Sequence, residues 1–390
     1  MSVDALDDFD RIWDRHGTGS LKWDGAKARF GAEVLPMWVA DMDLPTAPVV
    51  LEALRRRLQH PILGYPWLDH EYRMAACQWM AQRHGWGPEV GHTQVASGVV
   101  PALFAAVRAL TAPGDTVLTL TPVYPPFLQA VRSNGRALRT LTLEYDAEGV
   151  YRIPWEQLDD ALAGTRLLLL CSPHNPVGRV WTSEELSRLV ARCRGHGVRV
   201  VSDEIHADLS ELPHTPLPAL MPEAVLLSAP GKAFNMAGLG GAVIACGDAE
   251  GYRLLREELE RSQCQHATTP GLVGGIAAWR DGAQWLDRVR AYLRGNALAL
   301  AQRIARDMPA LAFRPPEFGY LAWLDLRRCG QDDQRIDAAL REVGLGLNAG
   351  ADFGPGGTGF RRLNFGCPRP LLEAGLDRLQ RALALLSPPA

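Results

Sequence analysis

Between Arg166 and Glu204 the hydrophobic period of the chain changes twice. Leu167-Leu168-Leu169-Leu170-Cys171 is wholly apolar, the pattern of a short strand covered on both faces. The turn-rich stretch Ser172-Pro173-His174-Asn175-Pro176-Val177-Gly178 follows. Thr182 then stands three residues before Glu185, the spacing of a capping box that opens a helix. Leu186, Leu189, Val190 and Cys193 fall at i, i+3, i+4 and i+7, which gives that helix one buried stripe. Gly195 and Gly197 end it, and Val198 to Val201 supply the next apolar strand. Strand, helix and strand in this span predict a βαβ unit, hence a parallel sheet with helices on its faces.

The rhythm recurs on both sides. Val99 to Leu110 reads as a helix, Pro113-Gly114-Asp115 as a turn and Val117 to Leu120 as a strand. Ala224 to Leu227 and Ala242 to Ala245 are further strands, separated by a Gly-rich loop. From about residue 285 the character shifts to a long charged helix, Trp285 to Asp307, then strand-like runs such as Leu321 to Asp325. A Gly-rich segment, Gly350 to Gly359, leads into Phe360-Arg361-Arg362-Leu363-Asn364. The expected architecture is α/β: a large domain over residues 48–285 with a mostly parallel sheet between helices, and a smaller α+β domain over 286–390. Residues 1–47 are expected to form an arm packing with the small domain.

Composition narrows the function. With 390 residues, 47% of them hydrophobic and 22% charged, the chain can bury a large core without disulfides or a metal. Its net charge of −3, with no Lys/Arg block, argues against a nucleic-acid face. Seven scattered cysteines with no C-x-x-C fit reduced thiols in the cytoplasm rather than a disulfide framework or a zinc knuckle. Met1-Ser2-Val3-Asp4 lacks a basic-then-apolar signal, and no apolar run reaches membrane-spanning length, so neither secretion nor a membrane is expected. His206 and Asp208 have no H-E-x-x-H or carboxylate cluster beside them, so no metal is expected. The tryptophans read as core and interface residues, with Trp38 set apart by its place in a motif at the domain junction.

In open α/β sheets, ligands sit beyond the carboxyl ends of the strands, which makes Tyr124, Asn175, Asp203 and Lys232 the first site candidates. Lys232 lies among small residues just after a strand. It is either an ordinary loop lysine or a Schiff-base lysine, which needs burial to lower its pKa and little crowding at its amine. Asp203, at a strand end, is either a capping or salt-bridged residue or the partner of a protonated pyridine nitrogen. A close opposite charge shifts a pKa by about 1–3 units, enough to hold such a ring charged at neutral pH. Asn175 precedes a proline, a generic turn signal. Ser97-Gly98-Val99-Val100 opens a helix whose free N–H groups could take a phosphate.

In this order, Asn175, Asp203 and Lys232 resemble the Asn–Asp–Lys set of fold-type I pyridoxal 5′-phosphate (PLP) enzymes, the aspartate-aminotransferase-like superfamily. The closer resemblance is to the MalY/PatB-like cystathionine β-lyases and cysteine-S-conjugate β-lyases. It is carried by Ser20 to Asp24, Pro36 to Asp43, Leu63-Gly64-Tyr65, Gly98 to Leu103, Thr121 to Phe127, Ser172 to Trp181, Ser202 to Asp208 and Arg362-Leu363-Asn364. It spans essentially the whole chain. The resemblance implies that Lys232 forms the Schiff base with the cofactor and that Asp203 pairs with its pyridine nitrogen. Asn175 is expected on the ring hydroxyl oxygen, with Tyr124 stacked on the ring face. Gly98, Val99 and Val100, helped by Ser228, are expected to bind the phosphate, with Tyr65 reaching it from a second subunit of a homodimer. Arg362 is expected to clamp the α-carboxylate of an amino-acid substrate; Arg361 is its rival, and the family's Arg-x-Asn spacing selects Arg362.

The implied activity is α,β-elimination on a cysteine thioether, with Tyr124 or Lys232 protonating the leaving sulfur. The sequence departs from transaminases at His206, where they usually carry a tyrosine, and at Gly240, where many have a phosphate-binding arginine. Both departures favour the lyase over an aminotransferase on the same scaffold, although His206 also reads as a core residue. Gly231 stands where the family often has serine. A regulatory protein that keeps the fold without turnover is the third reading, and the intact Lys232 speaks against it.

Overall fold

The computed structural model describes residues 8–386, so Met1 to Asp4 lie outside the described residues. Its centre is a seven-stranded sheet. The strands are β1 (Thr93–Ala96), β2 (Thr116–Thr121), β3 (Ala137–Thr142), β4 (Thr165–Cys171), β5 (Arg199–Asp203), β6 (Val225–Ser228) and β7 (Ala242–Cys246). Their order across the sheet is β1-β7-β6-β5-β4-β2-β3. Only β7 runs against its neighbours β1 and β6; the remaining pairs are parallel. The mostly parallel sheet expected from the apolar runs is present, with one reversal that the Gly-rich loop before β7 makes.

The strands are apolar on both faces because both faces are covered. In β4, Leu167, Leu169 and Cys171 join one buried cluster with helix α1 (Val99–Leu110), while Leu168 and Leu170 join another with helix α2 (Ser183–Gly195). The α2 capping box is complete: Glu185 N–H donates to Thr182 Oγ1 (3.1 Å) and Thr182 N–H to Glu185 Oε2 (2.9 Å). Its four stripe residues are all buried.

Past helix α3 (Ala283–Asp307) lies a three-stranded sheet of β8 (Leu321–Asp325), β9 (Asn348–Ala349) and β10 (Phe360–Asn364), with helices α4 (Asp333–Glu342) and α5 (Arg369–Leu386). Leu35–Pro36 pairs in parallel with Leu345–Gly346. A third apolar cluster is continuous from Leu35, Met37 and Met42 through Tyr72 and Trp279 to Leu363 and Leu376. The N-terminal segment therefore has no core of its own and is sealed against both ends of the molecule. Among the described residues no helix is long and apolar enough to cross a membrane.

Candidate active site

The carboxyl ends of β2, β4, β5 and β6 point at one cavity of about 340 Å³. Parallel pairing sets the depth of its floor: Cys171 lies opposite Asp203, and Asp203 opposite Leu227. Tyr124, Asn175, Asp203, His206 and Lys232 all line the cavity. Gly98, Val99 and Val100, the start of α1, form another wall, with no acidic side chain in the helix's first turn. Free N–H groups and the helix dipole make that end hospitable to an anion.

Lys232 is half-buried behind Ala40, whose carbonyl oxygen accepts from Nζ (2.7 Å) and from the Tyr320 hydroxyl (3.1 Å). Burial, reinforced by the charge of Arg362, lowers the amine's pKa to about 8. Asp203 is buried, and burial pushes its carboxyl up to about 7 although the Ile205 N–H (3.1 Å) and the charge of Lys232 pull the other way. Among the described residues neither group forms an ion pair. His206 is pushed down to about 3 by burial, then by the charges of Lys232 and Arg362. Its ring lies 5.2 Å from that of Phe318, and its buried Nδ1 has no partner, so it is not a satisfied core histidine. Burial raises the Tyr124 phenol.

Arg362 lies behind Asn175 and is not on the cavity wall. Its Nη1 donates to Asn175 Oδ1 (3.1 Å), and its Nη2 to the Trp38 carbonyl (3.0 Å) and Asn348 Oδ1 (2.9 Å). Nε is buried without a partner, and burial lowers the guanidinium pKa to about 10. Strand alternation sends the neighbouring Arg361 to the other face, onto Asp333 (2.6 Å) and Asp337 (2.7 Å). Ser228 ends β6 but does not line the cavity, and Tyr65 is fully exposed outside it.

The groups that side-chain reading passed over are mostly backbone. Residues 38–44 form a strap that meets the cavity at Ala40. Asn364 Nδ2 donates to the Val39 (2.5 Å) and Asp41 (2.6 Å) carbonyls, and Asn235 exchanges hydrogen bonds with Met42 N–H (2.9 Å) and with the Met42 (3.0 Å) and Leu44 (2.7 Å) carbonyls. Asn235 adopts a φ of 51°, a conformation asparagine tolerates better than most residues. Its place three residues after Lys232 was the available signal; a carbonyl such as that of Ala40 leaves none. A second cavity, about 640 Å³, lies on the other side of Ala40 and Lys232, walled by the strap and by Trp13, Arg15 and Ser20. Among the described residues no three His, Cys, Asp or Glu side chains converge as a metal site.

Comparison with known proteins fits this geometry. The chain is 39% identical over 387 residues to cystathionine beta-lyase PatB of Bacillus subtilis (96% of this chain, 100% of that protein). It is 36% identical over 385 residues to protein MalY of Escherichia coli (96% and 98%). The solved PLP-bound C-S lyase of Staphylococcus hominis superposes with a TM-score of 0.90 at 30% identity, covering 96% of this chain and 97% of that one. Residues 32–379 match the family model for aminotransferase class I and II. The chain belongs to the aminotransferase class I and II family, with the fold-type I architecture.

Proposed function

We propose that this chain is a PLP-dependent carbon–sulfur β-lyase that converts cystathionine or a related cysteine S-conjugate into a thiol, pyruvate and ammonia. The observation that carries the reading is the pair Lys232 and Asp203 on one cavity, neither neutralised by a protein counter-ion. Relatives with cystathionine beta-lyase names at 30–39% identity support it.

The residues fit the cofactor. Lys232 would tether it through its amine, with Tyr124 against the ring face. Asp203 is an acid whose burial penalty a pyridinium would relieve. Because Arg362 already occupies Asn175 Oδ1, the Asn175 amide NH₂ is the group left to donate to a ring oxygen. His206, with its unpartnered Nδ1, lies beside Asp203 on the same wall. The 98–100 backbone would take the phosphate. When bound, PLP supplies an electron sink for the negative charge that develops at the substrate's α-carbon. The Lys232 amine, which the amine of an incoming substrate would release from its tether, would be the base on the cavity wall that can remove the α-proton. Arg362 offers the α-carboxylate a forked donor in place of its present neutral acceptors. The second cavity gives the sulfur substituent room beyond Lys232, and Tyr124 or Lys232 would return a proton to the leaving sulfur.

The same reading makes the enzyme a homodimer. Ile62, Leu63, Tyr65 and Trp67 form an exposed apolar stretch, suited to burial against a second copy, with Tyr65 of the partner subunit completing the phosphate site. It also divides the chain at residues 47 and 285, with the Leu35–Leu345 pairing supporting an N-terminal arm on the C-terminal domain. Seven unpaired cysteines support a cytoplasmic setting.

The test is to supply PLP-loaded protein with L-cystathionine and no keto acid. Pyruvate and free thiol are expected in equal amounts. Strict dependence on a keto-acid acceptor would overturn the reading in favour of an aminotransferase.

A further inference from the structure

Behind the turn that carries Asp203 and His206 runs a chain of buried polar side chains that the proposed chemistry does not use. Glu204 accepts from Ser202 Oγ (2.9 Å), from the Leu217 N–H (2.9 Å) and from His214 Nε2 (2.8 Å). The side chains of Glu204 and His214 are each only 2% exposed. Asp208 accepts from Trp79 Nε1 (2.9 Å) and His84 Nε2 (2.9 Å). The two imidazoles meet edge to face, 5.2 Å between ring centres. One carboxylate–imidazole pair thus stands on each side of His206, and their outer ends are rooted in the helix Asp69–His84 and in the segment leading to Leu217.

Such a network is a poor choice for stability alone. Burying a carboxylate for the sake of a few hydrogen bonds gains little over an apolar replacement, and the surroundings here are already apolar core. What it offers is direction. A turn gripped by two multiply bonded carboxylates cannot rotate without breaking several buried hydrogen bonds, each costly to leave unmade.

We propose that Glu204–His214 and Asp208–His84 are positioning residues that hold the 203–208 turn so that Asp203 and His206 present to the bound cofactor. The proposal rests on the PLP reading above.

The experiment measures the dissociation constant of PLP and the position of the visible absorption band in Glu204→Gln and Asp208→Asn, below the melting temperature of each. The control is Arg303→Met, which breaks ion pairs to Asp307 (2.5 Å) and Asp377 (2.7 Å) on neither cavity wall. The expected result is about tenfold weaker PLP binding and a displaced band in both site variants, from the loss of one buried charged hydrogen-bond set. Arg303→Met should lose thermal stability and change neither readout. PLP binding within twofold of the native protein in both site variants, with an unmoved band, would reduce the network to a structural element. If Glu204→Gln does not fold, His84→Gln at the edge of the network carries the same two expectations. Failure of the native protein to take up PLP would instead sink the cofactor reading itself.

Discussion

Two pairs of cations, Lys22 with Arg361 and Lys232 with Arg362, divide the molecule into two kinds of region. Lys22 and Arg361, both fully enclosed, meet carboxylates: Lys22 meets Asp43 at 2.6 Å, and Arg361 meets Asp333 and Asp337. Arg362 is buried and Lys232 partly so, but they meet only uncharged oxygens, the Ala40 and Trp38 carbonyls and the side-chain amides of Asn175 and Asn348. Arg361 and Arg362 are adjacent in β10, so composition and location are nearly the same and only the strand face differs. Where a carboxylate is built in, the cation serves the fold. Where it is withheld, the desolvation cost remains and the cation is ready for an anion or for proton transfer.

The sharpest break in that contrast is Lys232→Ala. It should cost at least about a thousandfold in turnover and remove the visible absorbance of the PLP-loaded protein. Retained turnover would place Lys232 with the ordinary lysines.

Asp203→Asn tests the withheld partner from the acid's side. Its ordinary pKa of 3.8 rises to about 7 on folding, so its ionisation progressively lowers the stability of cofactor-free protein as pH rises between those values. Cofactor-free Asp203→Asn should therefore be more stable than the native chain above pH 7, by roughly 4 kcal/mol at most. The gain should vanish below about pH 4, as calorimetry at the two pH values would show. No gain at high pH would mean that the carboxylate already has a partner.

The two arginines supply the smaller, reciprocal effects. Arg362→Met should raise KM for the amino acid about a hundredfold with little loss of stability. Arg361→Met should cost about 2 kcal/mol of stability and leave KM alone, since Asp333 and Asp337 are partly exposed and water can take over their hydration. Equal KM effects, in steady-state assays on variants checked by melting, would erase the distinction between the faces of β10.

The sheet was legible because β4 and β5 are apolar on both faces and the α2 cap carries its own sequence signature. The candidates after β2, β4, β5 and β6 were legible because parallel strands deliver their carboxyl ends to one edge. The reversal of β7 was not, since an apolar run carries no direction. Nor was the setback of Arg362 behind Asn175, which depends on packing between segments 187 residues apart in sequence. The strap escaped notice because its contribution is carbonyl oxygen, which every residue possesses. The Glu204–His214 pairing escaped for another reason: a ten-residue separation matches no local periodicity.

The strap has a consequence for how the enzyme comes into being. Val39 and Asp41 leave the ribosome early, yet their clamp, Asn364, emerges 325 and 323 residues later. At about 5–20 residues per second, the amino-terminal stretch waits on the order of 16–65 s before its final partner exists. Nascent chains halted before that point should lack a closed cofactor pocket, so PLP uptake would serve as a clock for completed synthesis.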